Sequence, residues 1–237
     1  DGWGIAFFEG RGTRIFLDPQ ASSASPVAEL VRHYPIRSRN VIAHIRKATQ
    51  GATGLENTHP FMRELWGRYW IFAHNGNLID FHPAFDGSFL PVGATDSERA
   101  FCWLLQNLRQ RFGNSAPARD ALLAALQDLT IEIARRGEFN FLLSNGDRLF
   151  AHASTQLAYI VRQAPFTQAH LMDQDVTVDF SQVTTPDDRV AVVATIPLTD
   201  NEAWLTMAPG SLWCFEEGAV VASHTTTPGP ARTTTTC

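Results

Sequence analysis

Apolar residues recur along this chain in two different rhythms. Short runs rich in aromatic and β-branched residues occupy 2–8, 14–17, 40–46 and 70–74, and they predict strands; Glu9-Gly10-Arg11-Gly12 turns the first pair. Between them Ser25 precedes Pro26, a capping residue followed by proline at the first helical position. That pairing predicts a helix over 27–33, ending before Pro35. Thr95 or Asp96 opens a longer helical pattern, with Ala100, Phe101, Leu104, Leu105 and Leu108 on one face. A second helix over about 117–136 carries Leu122, Leu123, Leu126, Leu129, Ile133 and Ala134. After Gly137 strand patterns return at 139–144 and 149–152, joined by Asn145-Gly146-Asp147, then at 158–162, 189–195, 205–207, 211–215 and 219–223. Strands and helices do not alternate. An α+β arrangement of antiparallel sheets with helices segregated outside is therefore expected, rather than a doubly wound parallel sheet.

One segment supports two readings. Residues 70–78 run Trp-Ile-Phe-Ala-His-Asn-Gly-Asn-Leu, and an Asn-Gly pair flanked by apolar alternation is a hairpin signal. The same pair, Asn75 and Gly76, can also aim a side-chain amide and an adjacent backbone N–H at one oxygen, the geometry of an oxyanion hole. A residue without a side chain lets a reacting carbonyl come close.

Two charged residues extend the second reading. Arg46, at the end of a predicted strand, can clamp a carboxylate through two parallel hydrogen bonds, or sit in a weak surface pair. Asp96 is either an acid at a helix N-terminus or the partner of an ammonium group. Together they would hold an α-amino acid by both charges. His44 and His74 alternate with apolar strand neighbours and read as hydrogen-bonded strand histidines, while His59 lies in a loop stiffened by Pro60. The histidine spacings match no metal pattern, so no metal and no other cofactor is expected.

Composition narrows the class. With 237 residues the chain has ample material for a core. A net charge of −5 lacks the basic footprint of a nucleic-acid binder. No run reaches the length of a membrane span, and a soluble protein is expected. Cys102 and Cys214 lie in apolar patterns, and Cys237 ends a threonine-rich stretch. They form neither a metal pattern nor a disulfide framework, which makes a reducing cytoplasm the default. One domain over 1–223 is expected, followed by a low-complexity, disordered tail at 224–237.

Four clusters taken together resemble the glutaminase domain of class II glutamine amidotransferases. They are His44-x-Arg46-x-Ala48-Thr49-x-Gly51, His59-Pro60-Phe61, Ala73-His74-Asn75-Gly76-Asn77-Leu78 and Thr95-Asp96-Ser97-Glu98, in that family's order. The opening Asp1-Gly2-Trp3-Gly4-Ile5-Ala6 is similar to the stand-alone branch, which lacks a fused synthase domain. The resemblance implies the N-terminal-nucleophile hydrolase fold, a four-layer αββα sandwich of two antiparallel sheets flanked by helices. It also implies hydrolysis of the side-chain amide of glutamine, or of a γ-glutamyl compound, through a cysteine thioester, with ammonia as product. By that resemblance Arg46 binds the substrate carboxylate and Asp96 its α-amino group. Thr49 and His59 line the pocket, Asn75 and Gly76 form the oxyanion hole, and His44 and His74 are framework. The implied partners are the small-molecule substrate and a separate subunit that accepts the ammonia.

The family's nucleophile is an N-terminal cysteine, and this sequence begins with Asp1. A start inside a predicted strand points to earlier residues, the cysteine among them, lying outside the sequence. The alternative expectation is a nucleophile-less module that binds glutamine or docks on a partner.

Overall fold

The computed structural model describes residues 2–46 and 53–226, with Arg46 described by its main chain. The elements in chain order begin with β1 (Gly2–Glu9), β2 (Gly12–Asp18), α1 (Pro26–Arg32), β3 (Val41–Arg46), β4 (Phe61–Leu65) and β5 (Arg68–Leu78). The helices α2 (Asp96–Phe112) and α3 (Arg119–Ala134) follow, then β6 (Gly137–Ser144), β7 (Arg148–Ala153), β8 (Leu157–Gln163), β9 (Gln168–His170) and β10 (Thr177–Asp179). The last are β11 (Arg189–Ala194), β12 (Leu205–Met207), β13 (Ser211–Glu216) and β14 (Ala219–Thr225).

A six-stranded antiparallel sheet in the order β14-β13-β7-β6-β5-β4 forms the centre. Because side chains alternate across a strand, Phe72, Phe139, Phe141 and Phe150 face one side, where Phe101, Leu104, Leu105, Leu123 and Leu126 of the two long helices cover them. The opposite face carries Ile71 and Ala73, which pack on Ala6, Phe8 and Ile42, and also Ala151, Ala153 and Phe215, which pack on Leu157 and Met207. Those partners belong to two three-stranded antiparallel sheets, β2-β1-β3 and β11-β8-β12, which together make the second β layer. Over β2-β1-β3 lies α1, with Tyr34 just beyond it ringed by Phe7 and Phe16. The αββα order expected from the resemblance is the one observed. Its fourth layer is thin: over β8 the cover is the β9–β10 region, where Phe180 lies on the Arg162 guanidinium.

Local chemistry explains the helix starts. Ser25 caps α1 by accepting the Ala28 N–H, and Thr95 caps α2 by accepting the Glu98 N–H. The Asn75-Gly76 pair is not a hairpin turn. It lies inside the eleven-residue β5, opposite Asn140 and Phe139 of β6. The turn of that region is Trp66-Gly67, two residues with positive φ (59° and 72°), the shape that joins two strands most tightly. Residues 61–65, to which the sequence pattern assigns no element, are the strand β4 on its other side.

The domain boundary expected after 223 falls within β14, which runs to Thr225; Thr226 is buried with its hydroxyl against His152 Nε2. The rest of the expected tail, 227–237, lies outside the described residues. No described helix is long and apolar enough to cross a membrane.

Candidate active site

The main-chain alternation of β5 defines the site. Ile79 N donates to Arg136 O at 2.7 Å, on the β6 side, so odd-numbered amides of this strand face β6 and even-numbered ones face the other edge. Phe139 agrees with this: its N–H goes to Ser154 Oγ rather than to Gly76, its cross-strand neighbour. Along the other edge β4 pairs with β5 only from Arg68 to Phe72. Past that point the N–H groups of His74, Gly76 and Leu78 are turned to an edge that β4 no longer covers. Leu78 N donates there to Asp96 Oδ2 at 2.7 Å, and Asp96 Oδ1 accepts the Ser97 N–H at 2.9 Å. The Asp96 carboxylate and the Gly76 N–H therefore share one edge, two residues apart along the strand.

The Asn75 side chain leaves β5 on the face that carries Ile71 and Ala73, toward the second β layer. It is exposed, and its Nδ2 donates to Thr195 Oγ1 at 3.1 Å, just after β11. A Cβ on Gly76 would collide with the carbonyl of Glu138, so only glycine fits this strand pairing. The strand β1 points its first residues to the same end. Its Phe8 touches Gly146, beside the Ile71–Ser144 pair, which leaves Gly2 at the Asn75 end with Arg46 paired opposite it. The main chain of Arg46 is thus brought to the site. Its side chain, and Thr49 altogether, lie outside what is described.

Histidines build the frame. His74 is 3% exposed; its Nε2 lies 3.0 Å from Glu138 O and its Nδ1 2.8 Å from Ser97 Oγ. A carbonyl only accepts, so Nε2 carries the proton and the Ser97 hydroxyl donates to Nδ1. Burial holds this imidazole below its ordinary pKa, against the opposing pull of the Asp96 charge. The neutral ring pins α2 to β5 and β6. His59 is buried, its ring 4.4 Å from that of His44 and 4.6 Å from Phe61. It is packed among those rings.

Glu98, 2% exposed, accepts the N–H groups of Val92 and Gly93 and pairs with Arg63 at 2.5 Å, while Asn57 Oδ1 accepts the Ala94 N–H. The Glu98 bonds tie residues 92–93 to α2 and α2 to β4, and the Asn57 bond ties Ala94 to the segment before β4. A cavity of about 290 Å³ opens beside Asp96, lined by Leu78, Ile79, His82 and Arg99 among others. A larger cavity, about 1220 Å³, lies at the opposite end of the sheet near Asn40, Gly146 and Arg189, away from these groups. Cys102 and Cys214 are fully buried, and burial pushes both thiols up to about 11. Neither is a nucleophile at neutral pH. Among the described residues no group of three or more His, Cys, Asp or Glu side chains is placed to hold a metal ion.

The sequence singles out Asn75, Gly76 and Asp96, and the fold brings these three to one strand end. Sequence alone misses Asn140 and Thr195, whose side chains reach Asn75 from 65 and 120 residues away; no local pattern marks either.

A strand edge with main-chain N–H groups beside a carboxylate, set in an αββα sandwich, is the arrangement that the fold builds, and comparison with known proteins names the family. Residues 1–236 match the description of class II glutamine amidotransferases, and the chain belongs to that family. It is 52% identical to YafJ of Escherichia coli over 222 residues, 93% of this chain and 87% of YafJ. It is 49% identical to a Haemophilus influenzae protein over 231 residues, 98% of this chain and 78% of the relative. Both relatives are named provisionally as glutamine amidotransferases. A crystal structure from Pseudomonas aeruginosa, described in similar terms, superposes with a TM-score of 0.79 at 50% identity, covering 94% of this chain and 87% of that one.

Proposed function

We propose that the protein hydrolyses the side-chain amide of glutamine or of a γ-glutamyl compound through a cysteine thioester. The observation that carries this proposal is the shared edge of β5, where the Gly76 N–H and the Asp96 carboxylate lie two residues apart with the Asn75 amide beside them.

Asp96 takes the substrate α-ammonium and Arg46 its α-carboxylate, while Thr49 and His59 complete the pocket. A thiolate attacks the δ-carbonyl carbon. The resulting oxyanion accepts from Gly76 N–H and from Asn75 Nδ2, whose second hydrogen stays with Thr195. Each such donor is worth about 3 kcal/mol in a transition state. The C–N bond then breaks, ammonia leaves with a proton, and water cleaves the thioester to release glutamate. The family resemblance makes the thiol that of an N-terminal cysteine; the two described cysteines are buried and do not supply it. Ammonia passes to water or to a separate acceptor subunit.

The test begins with the mass and N-terminal residue of the full protein, followed by release of glutamate from glutamine and inactivation by a glutamine-like electrophile. Turnover that disappears when an N-terminal cysteine is blocked supports the proposal. Glutamine-dependent thermal stabilisation without turnover would instead make the protein a glutamine-binding module.

A further inference from the structure

We infer that Asn140 is a positioning residue that aims the Gly76 N–H of the oxyanion hole; this rests on the amidohydrolase reading above. The inference starts from covalent geometry. The Gly76 N–H and the Asn75 C=O belong to one planar peptide and point in opposite directions, so whatever fixes the carbonyl fixes the donor. Asn75 O is turned toward β6, where Asn140 Nδ2 donates to it at 3.0 Å. Asn140 is the residue directly opposite in the register, so its main-chain N–H is offered to the same carbonyl and its side chain adds a second donor.

The Asn140 amide is itself locked. It is 4% exposed, and its Oδ1 accepts the N–H groups of Ser154, Thr155 and Gln156 at 2.9, 3.0 and 3.3 Å. Its remaining donor goes to Thr155 Oγ1 at 2.9 Å. Three converging N–H groups admit only an oxygen at Oδ1, which leaves the NH₂ to face Asn75. An amide whose oxygen is held this way by three N–H groups polarises the Gly76 peptide and prevents it from rotating when negative charge develops on the substrate.

Asn140→Asp separates this role from simple packing. A carboxylate keeps all three acceptances from 154–156 and loses both donations of the NH₂, to Asn75 O and to Thr155 Oγ1, so a second variant isolates the Thr155 bond. In the full-length protein its kcat for glutamine should fall about tenfold or more, with KM nearly unchanged. Thr155→Val, which removes only the other bond of the NH₂, should retain wild-type kcat. Independently of turnover, the Gly76 amide nitrogen resonance should move upfield in Asn140→Asp and stay in place in Thr155→Val, because that shift follows hydrogen bonding at the preceding carbonyl. Wild-type kcat or an unmoved Gly76 resonance in Asn140→Asp would overturn the inference. A wild type that binds but never hydrolyses glutamine would overturn the underlying amidohydrolase reading, and the resonance shift would still report on the peptide.

Discussion

Asp96 accepts the main-chain N–H of Leu78 at 2.7 Å, which ties the first residue of α2 to the last residue of β5. The bond leaves lone pairs of the carboxylate for a ligand while holding it at a set height beside Gly76. Asp96→Asn keeps an oxygen for Leu78 and removes the charge. It should raise KM for glutamine about 10- to 100-fold with little change in kcat. Steady-state kinetics with glutamine and with glutaramate, which lacks the α-amine, check this: the variant should lose the wild-type preference for glutamine.

Gly76→Ala forces a methyl group into the Glu138 carbonyl. The β5–β6 pair must open at the position that carries the proposed oxyanion donor. We expect a destabilisation of about 1–3 kcal/mol, measured by urea unfolding. The loss of glutaminase turnover should be larger than that stability change accounts for.

Acid should weaken the fold through two histidines. Burial holds His74 below its ordinary pKa and His152 down to about 4. The unfolded chain takes up protons at these rings below about pH 6.5, and the folded one does not. The His152 contribution to stability is therefore complete above about pH 6.5 and is lost as pH falls toward 4, and the His74 contribution is lost in the same direction. Unfolding free energies from urea titrations across that window should decline by up to about 1.4 kcal/mol per pH unit for the His152 ring. His152→Gln should flatten the decline, and a decline of unchanged slope would show that His152 does not cause it.

Cys102 and Cys214 should resist thiol reagents in the folded protein and react only on unfolding, as buried thiols at about 11 require. A Cys102→Ala, Cys214→Ala double variant should retain glutaminase activity. Labelling of either residue by a glutamine-like electrophile would contradict the assignment of both to the core.

Much of this architecture is legible in the chain wherever local periodicity and tertiary packing agree. Leu104, Leu105, Leu123 and Leu126 announce both long helices by spacing alone, and all four are buried against the central sheet. Ser25 and Thr95 announce their helix starts because a cap is a local bond. Asn75-Gly76 misleads for the same reason: its turn chemistry is real, but pairing with β6 over eight residues outweighs it. What glycine serves here is the close approach of Glu138, which no neighbouring residue reveals. Of the site, Asp96 is readable from its motif. Asn140 and Thr195 are not, because each meets Asn75 only through the register of strands distant in sequence.

The Trp66-Gly67 turn has a consequence out of proportion to its size. A two-residue connection admits one register between β4 and β5, and that register sets the residue at which β4 leaves its neighbour. The mouth of the site is thus measured out from a corner nine residues before Gly76. An insertion at that corner would let β4 slide along β5 and shutter the donor edge without altering any residue that meets substrate. Variation among relatives in the length of this one connection would then tune access to the site, leaving its chemistry intact.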